Sequence, residues 1–175
     1  MANIVLRLST GNAASTNLAN QNGSLGGKPA ASGTGNTQIT IPENSFIMNI
    51  LYDNITSSEN MAEVPEYRCV YIDNSATGAN QSAFLGSKIY VSGSTYAEFQ
   101  LGKVAAKNTD AGVIANETTA PAGITFATYN RDNKMVIGDL LPGERYAIWI
   151  KRTPKNIGGA GSTQESLDLV IEGSE

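Results

Sequence analysis

The residues that could carry chemistry in this chain are carboxylates, amides and amines, because histidine is absent and Cys69 is the single cysteine. The commonest general base and metal ligand is therefore missing, and one cysteine permits neither an internal disulfide nor a thiolate metal site. No G-x-S-x-G elbow, phosphate-binding loop or EF-hand-type calcium loop occurs. The chain has 16 Asp and Glu residues, but no spacing singles out a catalytic pair. We expect no enzyme activity and no cofactor.

Two dipeptides, Asp73-Asn74 and Asp132-Asn133, carry oxygen ligands of the kind that calcium prefers. Each follows or separates predicted strands, where Asx turns are common. A turn is the favoured interpretation, and we therefore assign no metal site, with calcium between loops as the alternative.

The main basic cluster is formed by Lys151, Arg152 and Lys155, where a predicted strand runs into a loop. It either pairs with an acidic neighbour or keeps a strand end soluble. The formal net charge is −4, and the other basic residues are spread along the chain, which argues against a nucleic-acid partner. No apolar run reaches the roughly 18 residues of a membrane span, and the first residues predict a strand rather than a signal peptide.

The elements that would position these groups are predicted to be strands. Charged residues make up only 16% of the chain and it contains 18 glycines, a composition unfavourable for helices. Apolar residues alternate with a period of two in about nine segments. We predict a single all-β domain over residues 1–175, an antiparallel β-sandwich of the immunoglobulin/fibronectin III or jelly-roll kind. At most one short helix is expected, within residues 57–67 and starting near Ser58.

Three local patterns add detail to the predicted strands. The segment YRCVYI (67–72) is apolar on both faces and suits a strand covered on both sides. The segments KIYVSG (88–93) and YAEFQLGKV (96–104) are predicted to form a hairpin. The segment GITFATYN (123–130) is predicted to be a further strand.

A turn pattern connects two of the later strands. Leu140, Pro142 and Gly143 followed by Tyr146 resemble a tyrosine corner, in which the chain crosses between sheets and the tyrosine hydroxyl bonds to nearby backbone. The alternative is an ordinary Pro-Gly hairpin turn.

Residues 9–37 form a Gly/Asn/Ser-rich N-terminal arm or loop with only two large apolar residues, Leu18 and Leu25. Such a segment buries too little surface to fold alone. It is either a solvated linker or an arm that orders against a neighbouring subunit through these two leucines. A second stretch, residues 153–166, is predicted to be a mobile loop.

Trp149 is predicted on the more exposed face of its strand, with Lys151. An exposed tryptophan is a good interface anchor. The candidate interface residues are therefore Leu18, Leu25, Trp149, Lys151, Arg152 and Lys155. The alternative for the aromatic residues is ordinary cross-strand packing.

Several of these segments resemble a group of small tailed-bacteriophage virion proteins. The group shares an E-Y-R-C strand, a T-A-P-x-G turn, an A-I-W-I-[RK]-R-T strand and a terminal strand ending in E-G. The matching segments here are EYRCVYIDN (66–74), KIYV (88–91), ANETTAPAGITF (115–126), PGERYAIWIKRTP (142–154) and SLDLVIEG (166–173). The resemblance covers roughly residues 46–173 and leaves out the arm.

The resemblance implies a virion structural protein, a capsid cement or decoration protein on the capsid surface. Its expected partners are the major capsid protein and further copies of itself, as a homo-oligomer on the particle, with no nucleic acid and no membrane. Such a protein is made in the host bacterial cytoplasm. The alternatives are a tail, baseplate or fibre component, or a carbohydrate-binding module.

Overall fold

The computed structural model describes residues 1–11, 24–30, 37–38, 44–47, 51–52, 55–76, 81–93, 96–156 and 168–175, with the backbone alone at 37–38 and 44–47. Leu18 and the greater parts of the predicted arm (9–37) and loop (153–166) lie outside these residues.

The described residues form two antiparallel sheets and one short helix, which confirms the predicted all-β class. The five-stranded sheet has the order β2-β1-β4-β8-β6, and the four-stranded sheet has the order β3-β9-β5-β7. Apolar side chains from both sheets belong to one hydrophobic cluster. The strands are β1 (Ile4–Leu8), β2 (Thr37–Gln38), β3 (Asn44–Ile47), β4 (Glu66–Asn74), β5 (Phe84–Ser92), β6 (Ala97–Lys103), β7 (Met135–Leu140), β8 (Arg145–Pro154) and β9 (Asp168–Ser174).

Strands β4 and β8 form the centre of the five-stranded sheet and pair from Glu66 opposite Arg152 to Asp73 opposite Arg145. Their β-branched and aromatic residues are buried on both faces, as the sequence predicts for residues 67–72. Tryptophan 149 lies opposite Cys69 and is only 1% exposed. The expectation that Trp149 is an exposed anchor is therefore wrong, because distant segments of the same chain cover this face.

The cover of this face includes residues 24–30, which are part of the predicted arm. Leu25 is 2% exposed, and the Cys69 N–H donates to the Ser24 carbonyl at 2.6 Å. The Gly27 N–H donates to the Ala111 carbonyl at 2.9 Å. The expectation that Leu25 contacts a neighbouring subunit is wrong, since its side chain is buried in the core of this chain.

Two strand expectations also need correction. The predicted hairpin of residues 88–93 and 96–104 does not form, because β5 and β6 belong to different sheets. Residues 123–130 contain no strand, only a bridge in which Leu101 and Ala127 exchange two backbone hydrogen bonds of 2.9 and 3.1 Å. A period of two predicts extended backbone but does not decide its partner.

The N-cap of helix α1 (Ser57–Ala62) lies two residues before the predicted Ser58 cap. Thr56 is the N-cap, and its side chain accepts from the Glu59 N–H while the Glu59 carboxylate accepts from the Thr56 N–H. Glu63 ends the helix with a left-handed φ of 50°.

The predicted corner connects β7 in one sheet to β8 in the other. The Glu144 N–H donates to the Leu141 carbonyl at 2.9 Å, and Gly143 has a φ of 83°, as a tight Pro-Gly turn requires. Leu140 is buried before the turn, which passes through Pro142. Within the described residues the Tyr146 hydroxyl makes no hydrogen bond, so the bond that defines a tyrosine corner is not seen there.

Asn74, at the end of β4, holds this corner instead. Its buried side-chain amide donates to the carbonyls of Leu140 at 2.9 Å and Ser82 at 3.0 Å, while its Oδ1 accepts from the Asn3 N–H at 3.1 Å. Its own carbonyl accepts from the Gly143 N–H at 2.7 Å. One asparagine therefore joins β1, β4 and the β7–β8 turn.

We expect Tyr71→Phe to lower the free energy of unfolding by about 2 kcal/mol, because one buried and one partly buried hydrogen bond are lost. The Tyr71 hydroxyl donates to the Gly27 carbonyl and accepts from the Ala111 N–H at 2.8 Å. Chemical denaturation measures the loss. The matched control is Tyr146→Phe, which should change stability by less than about 0.5 kcal/mol. Equal effects of the two changes would contradict the assigned role of Tyr71.

Alkaline titration gives a second readout of the same hydroxyl. Burial raises the pKa of Tyr71 from 10.0 to about 12. Its stabilising contribution is complete below pH 10 and is lost as the pH rises through about 12. Stability should therefore fall less steeply across this range in Tyr71→Phe than in the wild type.

Candidate functional site

Four charged residues form two ion pairs at one end of the β4–β8 pair, Glu66 with Arg152 and Arg68 with Glu117. Glu66 and Arg152 are directly opposite in the register, and both are buried. The Arg152 Nε donates to the Glu66 Oε2 at 2.7 Å, and its Nη2 contacts the same oxygen. The pair is therefore fixed by strand alignment rather than by a flexible surface contact.

Arg68 connects three segments of the chain. Its Nε donates to the Leu51 carbonyl at 3.1 Å and its Nη1 to the Tyr67 carbonyl at 3.2 Å. Its Nη2 donates to the Glu117 carboxylate. The Tyr67 N–H in turn donates to the Glu117 carbonyl at 2.7 Å. The loop around Glu117 is thus held to β4 by both its side chain and its backbone.

Tyr52 completes this network, which we call the buried ionic network (Tyr52, Glu66, Arg68, Glu117 and Arg152). The guanidinium carbons of Arg152 and Arg68 lie 4.5 and 5.3 Å from the centroid of the Tyr52 ring. Its hydroxyl donates to the Ile150 carbonyl at 2.8 Å. The aromatic ring therefore fills the space beside both guanidinium groups.

Burial raises the pKa of two members of the network, Glu66 and Tyr52. Removal from water raises the pKa of Glu66, and the neighbouring Arg152 opposes that rise. Burial likewise raises the pKa of the Tyr52 hydroxyl. Chemically, this arrangement joins segments of the chain, since each carboxylate is engaged by a guanidinium group of the same chain.

The predicted basic cluster does not form one surface. Arg152 does pair with an acidic residue, Glu66 of the same chain. Both side chains are buried, so the expectation that Arg152 is an interface residue is wrong. The Lys151 Nζ donates to the Gln100 Oε1 at 3.0 Å on the neighbouring strand. Lys155 is exposed, and its backbone N–H donates to the Tyr96 carbonyl at 2.8 Å. Leu18, the remaining interface candidate, lies outside the described residues.

Two adjoining cavities lie beside β6. One of about 370 Å³ is lined by Lys103, Tyr129 and Tyr146 among others, and one of about 270 Å³ is lined by Ile114 and Trp149 among others. Val104, Ala105 and Gly123 line both. Tyr146 and Trp149 are themselves buried, so neither presents the open aromatic face that the carbohydrate-binding alternative uses.

Sequence reasoning missed the buried ionic network, although one signal for it was present. Glu66 and Arg68 alternate at the start of a strand predicted to be covered on both faces. A charge on such a strand must be buried, and a buried charge requires a partner. The identity of those partners, Arg152 and Glu117, could not be predicted from the sequence, because it depends on contacts between residues far apart in the chain.

Across the described ranges, no group of three or more His, Cys, Asp or Glu side chains is arranged to hold a metal ion. In the same part of the chain, no helix is long and apolar enough to cross a membrane. Comparison with protein-family models found no matching family, and comparisons with curated proteins and with solved structures found no match.

We expect Arg152→Met to destabilise the protein by about 3 kcal/mol at neutral pH, because the Glu66 carboxylate is left buried without its cation. The loss should shrink in acid. Without Arg152 the pKa of Glu66 rises further, so at low pH the buried side chain is neutral and needs no cation beside it. The contribution of a raised carboxyl pKa is complete below the unfolded value and is lost as the pH rises through the folded value.

Unfolding curves of both proteins between pH 4 and 8 measure this dependence. Lys155→Met, which removes an exposed cation of the same charge, is the control and should give a small loss with little pH dependence. An Arg152→Met loss that is the same at every pH would rule out a charged Glu66 as its cause.

Proposed function

We propose that this protein is a virion structural component of a tailed bacteriophage, a cement or decoration protein on the capsid surface. In this proposal it binds and bridges major capsid subunits and lies beside further copies of itself. We also infer that its two sheets form a β-sandwich, because their apolar side chains belong to one cluster.

One observation carries the proposal. Three of the five segments that resemble the bacteriophage group, residues 66–74, 115–126 and 142–154, come together around the buried ionic network. Glu66 and Arg68 belong to the E-Y-R-C segment, Arg152 to the A-I-W-I-K-R-T segment, and Glu117 to the segment containing T-A-P-A-G. Phe126, at the end of that last segment, packs against Tyr67 with ring centroids 5.4 Å apart. Because these motifs contact one another in the fold, we take their joint presence to support a fold shared with the bacteriophage group.

The described fold also offers a suitable place for a capsid-contacting segment. The Gly11 N–H donates to the Gly26 carbonyl at 2.6 Å, and the Leu25 N–H donates to the Gly11 carbonyl at 3.4 Å. The described residues on either side of 12–23, Gly11 and Leu25, therefore lie next to each other. The Asn, Ser, Thr and Gly groups of residues 12–23 can bond to a neighbour's backbone, and Leu18 supplies an apolar contact. Many weak contacts of this kind can add up on a particle, because later contacts become intramolecular.

A reconstruction of the virion tests the proposal directly. We expect density for this chain on the outside of the capsid, in a copy number that follows the icosahedral lattice. A copy number set by the symmetry of the tail would replace the capsid assignment with a tail, baseplate or fibre role. Absence from purified particles would overturn the virion assignment altogether.

A deletion tests the contact segment. Replacing residues 13–22 with a short Gly-Ser link should leave the unfolding free energy within about 0.5 kcal/mol of wild type, since loop-length costs are small. Occupancy on particles lacking the protein should fall strongly, and Leu18→Asn should give part of that loss. The control, Arg131→Met, changes an exposed cation outside the candidate interface residues and should bind like wild type. Full occupancy by the deleted protein would remove the segment from the binding surface.

A further inference from the structure

Strand β7 is the outer strand of the four-stranded sheet, so among the described residues one side of its backbone has no neighbouring strand in that sheet. An outer strand of this kind is a template for pairing with another chain. The strand lies at the surface, since the Val136 side chain is 56% exposed and Asp139 is also exposed.

Two lysines occupy this edge. The Lys103 Nζ donates to the Val136 carbonyl at 2.7 Å, and the Lys107 Nζ donates to the Asp139 carbonyl at 3.0 Å. Lys103 ends β6, the outer strand of the other sheet, and Lys107 lies in the segment that follows it. Both ammonium groups therefore reach across from one sheet to the edge of the other.

A bulge brings both carbonyls to the same side. Ser87 of β5 pairs with Gly138, whereas the next residue, Lys88, pairs with Val136, so β7 carries one extra residue there. Gly138 has a φ of 88°, which a glycine adopts without strain. The carbonyls of Val136 and Asp139, three residues apart, would point to opposite sides of a regular strand. The extra residue in the bulge turns both of them to the outer side.

Other contacts fix the position of each lysine. The Lys107 Nζ lies 2.5 Å from the Glu144 Oε2, and the Lys103 Nζ lies 5.5 Å from the centroid of the Tyr146 ring. Hydrogen bonds from a charged donor are stronger than those from a neutral amide. A backbone N–H arriving from another chain must therefore displace a stronger donor at each of the two carbonyls.

We propose that Lys103 and Lys107 prevent the β7 edge from pairing with the β7 edge of a second copy of this chain. The second copy is the relevant partner because a two-fold axis brings identical edges together in antiparallel pairing. Such pairing would bury the exposed Val136 side chain, and it would also bring the four ammonium groups of two copies together. The two lysines thus keep the β7 edges of two copies apart. This inference does not depend on the proposed function.

The test is the mass in solution of the double variant Lys103→Met/Lys107→Met, measured by light scattering over a range of concentrations. Methionine keeps an unbranched apolar stem and removes the charged donor. We expect the double variant to form a species of twice the wild-type mass as concentration rises. Lys103→Met alone should show a weaker tendency, and it leaves the Lys107–Glu144 ion pair intact if the double variant folds poorly.

Two further variants separate edge pairing from a general effect of charge. Lys28→Met/Lys155→Met removes the same charge at two exposed lysines that lie outside β5 and β7 and should keep the wild-type mass. Adding Val136→Lys to the double variant returns a cation to the edge and should restore the wild-type mass. The proposal is overturned if Lys103→Met and the folded double variant both keep the wild-type mass at every concentration. It is also overturned if the control associates equally or if Val136→Lys restores nothing.

Discussion

The buried ion pair between Glu66 and Arg152 constrains the alignment of the two central strands, and the rest of the fold is built on that alignment. A slip of one residue between β4 and β8 would place Glu66 on the opposite face, away from Arg152. Each charge would then be buried without its partner, at a cost of several kcal/mol. Apolar residues in the middle of the two strands would tolerate such a slip far better. The ion pair therefore selects one register of the two strands and also stabilises their pairing.

Polar groups at both ends of β4 extend this constraint to the surrounding segments. At the beginning of the strand, Arg68 holds the loop containing Glu117, which helps to cover the face around Tyr67. At its end, Asn74 binds the turn that carries the chain from β7 into β8. Between them, residues 69–72 are apolar or aromatic and buried. The directional contacts at the two ends thus decide which segments pack on the strand, and the apolar middle supplies the burial.

The sequence predicted the elements that depend on local pattern. Alternating apolar residues identified most strands, and the two-sided apolar pattern of residues 67–72 identified the central one. The expected β5–β6 hairpin was wrong because the periodicity of a strand does not say which sheet it joins. The expected exposure of Trp149 was wrong because its cover, Gly26 and the segments 112–114 and 121–124, comes from distant parts of the chain. The partners of Glu66 and Arg68 could not be predicted from the sequence for the same reason.

The most direct test of this account is a double-mutant cycle on Glu66→Gln and Arg152→Met at neutral pH, with unfolding free energies measured for all four proteins. If the two side chains act as one buried unit, the combined loss should be smaller than the sum of the single losses by about 2 kcal/mol. Losses that add to within about 0.5 kcal/mol would show that the two residues act independently. Register would then have to be set by the apolar residues alone.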